Sequence, residues 1–368
     1  MTHHVTHHVT HHVTHHSMTL RCVTAHPVTV RAEPSDKFEV HGLSDAAARE
    51  ARVRVHSALS RLEGLKTREC RVRVTVSGAN GSCPAADLAV AVAALDVMGV
   101  LGESAPKPLL LGELALDGRL RPVRGLYVML QNNDADKAVV PECQLEEAQV
   151  RSVAQEVLAA TSLSQVVDWL RNRLLWVRPL GLVIAPLPEV DVVKPLPDLA
   201  KLGNAILLVG TGGKNRMARA VAATLPAPPV TVQREILTVY SAAGLWGDFH
   251  VPFRAPHHTV SETGLLGGGE RVRPGEVSLA HGGCLLLDEV AEFRREALRQ
   301  LALAVRDGEV CVARPGVRMP AKPALVIGTC EPRDFERAKK AYPWTGVYEM
   351  TLGEVERLSE RIRKEENA

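Results

Sequence analysis

A chain of 368 residues exceeds one ordinary domain and suits two or three. Apolar residues make up 46% and aromatics 4%, which excludes a disordered chain and requires cores built from Val, Leu and Ala. Forty-four basic against 42 acidic side chains leave a net charge of +2, without the dense positive charge of a protein held to nucleic acid mainly by counterion release.

Seven cysteines (Cys22, Cys70, Cys83, Cys143, Cys284, Cys311 and Cys330) are scattered singly. With no C-x-x-C, they suggest neither a zinc ribbon nor a disulfide framework, but reduced thiols in a cytosol. No apolar run reaches the roughly 18 residues that span a bilayer. A soluble, cytoplasmic protein with no membrane partner is expected.

Residues 1–17 repeat Thr-His-His-Val and hold eight of the fifteen histidines. The segment reads as a leader or purification tag, with Met18 as the start. From 18 to 177 the pattern is α+β. Val23, Val28, Val30 and Phe38-Glu-Val40 mark short strands, Ser44 opens a helix over 44–62, and Arg71-Val-Arg-Val-Thr-Val76 alternates with period two. Helical spacing returns over 84–100. A strand at Ala138-Val-Val-Pro141 precedes a helix-rich stretch over 144–170.

Two segments here, Phe38-Glu-Val-His-Gly-Leu-Ser-Asp-Ala-Ala-Ala-Arg-Glu50 and Leu111-Gly-Glu-Leu-Ala-Leu-Asp-Gly-Arg-Leu-Arg-Pro-Val-Arg-Gly125, resemble the magnesium-chelatase-like proteins of the ComM/YifB family. The amino-terminal half of that family is similar to the proteolytic domain of Lon, an S5-like fold. Lon-type chemistry needs a Ser nucleophile and a Lys to take its proton. By the resemblance these fall near 84–86 and shortly after Gly125, where this sequence has Ala85 and Tyr127. The resemblance therefore implies a platform without the catalytic dyad and without peptidase activity.

Five prolines between 178 and 198 (Pro179, Pro186, Pro188, Pro195, Pro197) mark a connector. The segment 199–340 then opens on the buried-strand run Ala205-Ile-Leu-Leu-Val209, followed by Gly210-Thr-Gly-Gly-Lys-Asn-Arg216 and a helix over 217–225. Strand, glycine loop, lysine and helix form a phosphate cradle, in which loop amides and Lys214 meet the phosphates of ATP. Gly210, Gly212, Gly213, Lys214 and Asn215 are thus the candidate nucleotide-binding residues. The full motif G-x4-G-K-[ST] is shortened by two residues, and Asn215 replaces the hydroxyl that would ligate Mg²⁺. Taken alone, the loop is equally well a plain turn. Gly282-Gly-Cys-Leu-Leu-Leu-Asp-Glu289 supplies the second element, with Asp288 placed to hold the Mg²⁺ shell and Glu289 to polarise the attacking water.

The resemblance is closest between these elements, in Val251-Pro-Phe-Arg-Ala-Pro-His-His-Thr-Val-Ser261, Leu266-Gly-Gly-Gly269 and Arg273-Pro-Gly-Glu-Val-Ser-Leu-Ala-His-Gly282. It implies a P-loop AAA+ core with a parallel sheet, ring-forming and ATP-driven, and a link to DNA processing. His257 and His258 read as part of a packing or neighbour-contacting loop. Arg254, Arg271 and Arg273 form a basic cluster that reads as a solvated loop or a contact with nucleic acid.

Three departures from the family bear on turnover. The loop is contracted; Cys330-Glu331 stands where Ala324-Leu-Val-Ile-Gly-Thr329 should lead into a sensor Asn; and after Pro332 the family's cysteine-bearing insertion and helical lid are not found. Instead 341–368 reads as one amphipathic helix, with Leu352, Val355, Leu358 and Ile362 at helical spacing and Glu360 placed for a pair with Lys364. The expectation is an ATP- and Mg²⁺-dependent AAA+ protein with weak or no autonomous hydrolysis, self-associating or docked on a partner subunit. The alternative is a non-enzymatic pseudo-ATPase acting as a scaffold.

Overall fold

In the computed structural model, the described residues are 12–63, 70–79, 81–102, 107–149, 156–172, 203–247, 250–269, 272–311 and 317–350. The chain divides into two compact units, 1–184 and 185–368. The proline-rich connector expected over 178–198 and the helical positions expected from Leu352 onward lie outside the described residues.

The first unit is built on a mixed seven-stranded sheet. Strands β1 (Val13–Arg21) and β2 (Thr24–Pro34) form an antiparallel hairpin, turning at Cys22 with a φ of 55°. β3 (Glu39–His41), α1 (Asp45–Leu59) and β4 (Val72–Ser77) follow. Next come α2 (Asp87–Val97), β5 (Leu109–Leu110) and the small hairpin β6 (Glu113–Leu114) with β7 (Leu120–Arg121). α3 (Leu126–Gln131), β8 (Lys137–Pro141), α4 (Leu145–Gln149), β9 (Glu156–Ala160) and α5 (Leu163–Asn172) complete the unit. The strand order is β3-β4-β2-β1-β5-β8-β9.

Three details differ from the sequence expectations. Residues 13–17, expected as part of a leader, form the first half of β1, where Val13 pairs with Ala32, and His15 and Ser17 are buried. β9 interrupts the helix-rich stretch expected over 144–170, because Glu156–Ala160 finds a parallel partner in β8. Ser44 stands at the N-cap of α1, but its side chain makes no capping bond.

The core is aliphatic, as the low aromatic content requires. α2 is buried from Asp87 through Leu95 on every side, the signature of a helix inside a core rather than on its surface. Val28, Val30, Val74 and Val76 pack into the same core cluster as α2.

The second unit carries a parallel five-stranded sheet in the order β11-β14-β17-β10-β18. The chain runs β10 (Ala205–Val209), α6 (Lys214–Ala222), α7 (Val230–Ala243), β11 (Phe253–Arg254), α8 (Glu262–Leu266) and the short pair β12 (Gly267–Gly268) with β13 (Arg273–Pro274). It continues through α9 (Glu276–Leu279), β14 (Cys284–Leu287), α10 (Arg295–Asp307), the hairpin β15 (Glu309–Cys311) with β16 (Arg318–Pro320), β17 (Leu325–Cys330), α11 (Phe335–Ala341) and β18 (Gly346–Glu349).

β17 lies between β10 and β14, with Val209 beside Cys330 and Leu287 beside Gly328, so three strand ends meet at one edge. This mixed α/β arrangement is consistent with a P-loop AAA+ core. β18 corrects the expectation of a helix from Val347: Val347 and Tyr348 extend along Leu207 and Leu208 and close the sheet.

Candidate nucleotide site

The loop after β10 is short because only four residues, 210–213, separate the strand from Lys214. Gly213 adopts a φ of 71°, a left-handed conformation that a side chain would strain, and it caps α6. α6 therefore begins at Lys214, three residues earlier than the sequence pattern predicts. Lys214 heads the helix, and its Nζ folds back to donate to the carbonyl of Gly210 at 2.9 Å. The first turn of α6 presents amides that have no partner within the helix, the usual basis of anion affinity.

Asn215, next along α6, donates from Nδ2 to Oδ2 of Asp288 at 2.7 Å. Asp288 stands just past β14. Its other oxygen, Oδ1, accepts from the hydroxyl of Thr329 at 2.6 Å, and that same hydroxyl accepts from the backbone N–H of Glu289 at 2.9 Å. Glu289 has φ 52° and ψ 54°, a left-handed geometry rare outside glycine and concentrated at functional sites. A continuous chain of hydrogen bonds thus ties α6 to β14 and β17.

Thr329, fully buried, is the residue the sequence reading passed over. In the sequence it only ends the apolar run leading into Cys330, yet its hydroxyl fixes both the Asp288 carboxylate and the Glu289 backbone. Its position one residue past Gly328, whose partner on β14 is Leu287, is the signal that finds it.

Cys330 is buried, and burial pushes its thiol up while the nearby Lys214 charge opposes that shift. An open pocket adjoins this end of the sheet, lined by Glu289, Ala291, Glu292, Cys330, Glu331, Arg333 and Asp334. Arg333 pairs with Glu331 at 3.0 Å and with Asp334 at 3.4 Å, and Arg337 reaches Glu292 at 3.4 Å, so much of the acidic lining is neutralised.

Other candidates are placed differently. Arg254 belongs to no exposed basic cluster: it forms a two-pronged ion pair with Glu276 at 2.6 and 2.9 Å, which raises the guanidinium pKa further. Arg273 is exposed, and Arg271 lies outside the described residues. His257 and His258 stack with ring centroids 4.0 Å apart. His257 Nδ1 bonds the hydroxyl of Thr259, and His258 meets Phe293 edge-on at 6.4 Å. Among the described residues, no group of three or more His, Cys, Asp or Glu side chains is placed to hold a metal. In the first unit, Ala85 and Tyr127 are both buried.

The donors here fit one part of an Mg²⁺–nucleotide complex and not the other. Lys214 and the head of α6 suit phosphate oxygens. The cation seat does not fit: both oxygens of Asp288 already accept from protein donors, and Asn215 turns an N–H toward it where a hydroxyl would offer a lone pair.

Comparison with known sequences places these features in context. The family described as magnesium chelatase, subunit ChlI, matches residues 198–342, and a second, described as subunit ChlI of Mg-chelatase, matches 28–144. An uncharacterized protein of Mycobacterium tuberculosis is 35% identical over 325 residues, covering 80% of this chain and 64% of its own length. YifB of Escherichia coli is 29% identical over 330 residues, covering 83% and 65% respectively. The competence protein ComM of Haemophilus influenzae is 30% identical over 322 residues, covering 78% and 62%. The chain thus spans a little under two thirds of the length of each of these relatives. No helix among the described residues is long and apolar enough to cross a membrane.

Proposed function

Because the chain belongs to the magnesium-chelatase-like family of ComM and YifB, we propose that it is a nucleotide-binding AAA+ protein whose second unit holds the phosphates of ATP. Membership implies use of nucleotide and Mg²⁺. The single observation that carries the reading is the juxtaposition of Lys214, at the head of α6, with Asp288, at the end of β14, through Asn215. Gly210, Gly212, Gly213 and Lys214 contact the phosphates, Asn215 and Asp288 shape the edge of the site, and Glu289 is the candidate for orienting a water.

Hydrolysis by the chain alone is feeble on this reading. Asn215 and Cys330 stand at the positions of a metal-binding hydroxyl and a water-orienting amide, and a thiol is a poor hydrogen-bond partner. Removing one donor aimed at developing charge costs about 10² to 10³ in rate, so the loss of such groups suppresses turnover steeply. The first unit acts as a Lon-like platform without peptidase chemistry, a reading supported by the side chains of Ala85 and Tyr127, which carry neither nucleophile nor amine. A role in DNA processing, in the cytoplasm and as part of a self-assembled ring or a partner complex, follows from the resemblance to ComM-type proteins.

The test combines binding with turnover. ATP at a hundredfold excess over Kd should add about 2.7 kcal/mol to the stability of the second unit. Steady-state phosphate release should stay near background. Absence of any thermal shift contradicts nucleotide binding, and ordinary AAA+ turnover contradicts the weak-hydrolysis part alone.

A further inference from the structure

We infer, on the strength of the nucleotide reading above, that this site takes a nucleoside polyphosphate without a divalent cation, because the side-chain amide of Asn215 stands where the cation is otherwise held. Both oxygens of the Asp288 carboxylate are engaged by protein donors. Oδ2 takes the Asn215 amide at 2.7 Å, and Oδ1 takes the Thr329 hydroxyl at 2.6 Å.

The Thr329 donor is not free to turn away. Thr329 is fully buried and committed at the same time to the backbone N–H of Glu289. Reversing the Asn215 amide would set its carbonyl oxygen against Oδ2, two acceptors at hydrogen-bond distance, so the N–H orientation is fixed by its partner. An N–H cannot ligate a metal. Mg²⁺ demands near-octahedral oxygen ligands and gives up its waters reluctantly, so it gains little from a carboxylate whose two oxygens are already shared with protein donors.

The amide does for Asp288 part of what the cation would do. Its donor groups screen a carboxylate that would otherwise repel the phosphates, while Lys214 supplies the fixed positive charge. Thr or Ser at 215 would instead present a lone pair and leave room for the ion.

Calorimetric titration of ATP into the full chain tests this, run once with excess Mg²⁺ and once with EDTA. The two dissociation constants should agree within about twofold, and an Asn215→Thr variant should bind about tenfold or more tightly with Mg²⁺ than without. Wild-type binding that tightens tenfold on adding Mg²⁺ overturns the inference and leaves the nucleotide reading intact. A variant as indifferent to Mg²⁺ as the wild type overturns the assignment to Asn215. No heat from the wild type in either buffer overturns the nucleotide reading and this inference with it. Melting of the wild type with ATP in both buffers gives the same test without any variant: equal shifts are expected, and a shift only with Mg²⁺ is contrary.

Discussion

Asn215 and Asp288, 73 residues apart in the chain, are joined by a 2.7 Å hydrogen bond that fastens the head of α6 to the end of β14. Thr329 extends the link to β17. The edge of the parallel sheet where a nucleotide is proposed to bind is therefore held by protein–protein bonds.

The Thr329 hydroxyl is the buried member of this chain, so its removal is the sharpest structural test. Thr329→Val keeps the shape but strands the Glu289 N–H and one Asp288 oxygen, and should cost about 1–3 kcal/mol in urea unfolding. Asn215→Ala, at an exposed position, should cost under about 1 kcal/mol. Equal costs for the two would contradict the picture of Thr329 as the anchor.

Gly283 precedes β14 where the chain passes under Pro252. A Cβ there would lie 2.0 Å from the Pro252 carbonyl oxygen, and backbone cannot step aside as a flexible side chain can. Gly283→Ala should destabilise the second unit by about 2–3 kcal/mol or more, read as a lowered denaturant midpoint.

In the first unit, burial raises the Asp87 carboxyl from 3.8 to about 6, while Arg54, bonded to it at 2.6 and 3.2 Å, opposes the rise. A carboxyl whose folded pKa exceeds its unfolded one holds its proton more tightly when folded. Its contribution is therefore full below about pH 4 and is lost as pH rises through about 6. The stability of the wild type relative to Asp87→Asn should fall by up to about 3 kcal/mol across that window. Carbon-detected NMR should place the Asp87 titration near 6, and higher still in Arg54→Leu.

Residues 13–17 form half of β1, with His15 bonded to Asp96 at 3.0 Å and Ser17 to the carbonyl of Ala85 at 3.3 Å. A chain begun at Met18 should lose on the order of 3–5 kcal/mol, from several ladder and side-chain bonds at about 1 kcal/mol each. Unchanged unfolding of the shortened chain would mean that this stretch is dispensable.

Much of the second unit could be read from sequence, because its elements are local. Ala205–Val209 and Cys284–Leu287 are short apolar runs closed by glycine or carboxylates, and both became strands. What escaped depends on partners distant in sequence. Val347 and Tyr348 fall inside the helix expected over 341–368, yet they form a strand because Leu207 and Leu208 offer an edge. The repetitive histidine segment looked extraneous until the pairing of His15 with Val30 set it inside the sheet. Arg254 read as basic surface until Glu276 neutralised it. The Asn215–Asp288 bond had no local signature, since Asn215 looked only like a lost hydroxyl.

Central to the whole account is that phosphate binds at Lys214. Calorimetric titration of ATP into the wild type and Lys214→Ala tests this most directly. The substitution should weaken binding by about tenfold or more while leaving the unliganded melting temperature close to that of the wild type. An identical binding isotherm for both proteins would contradict it.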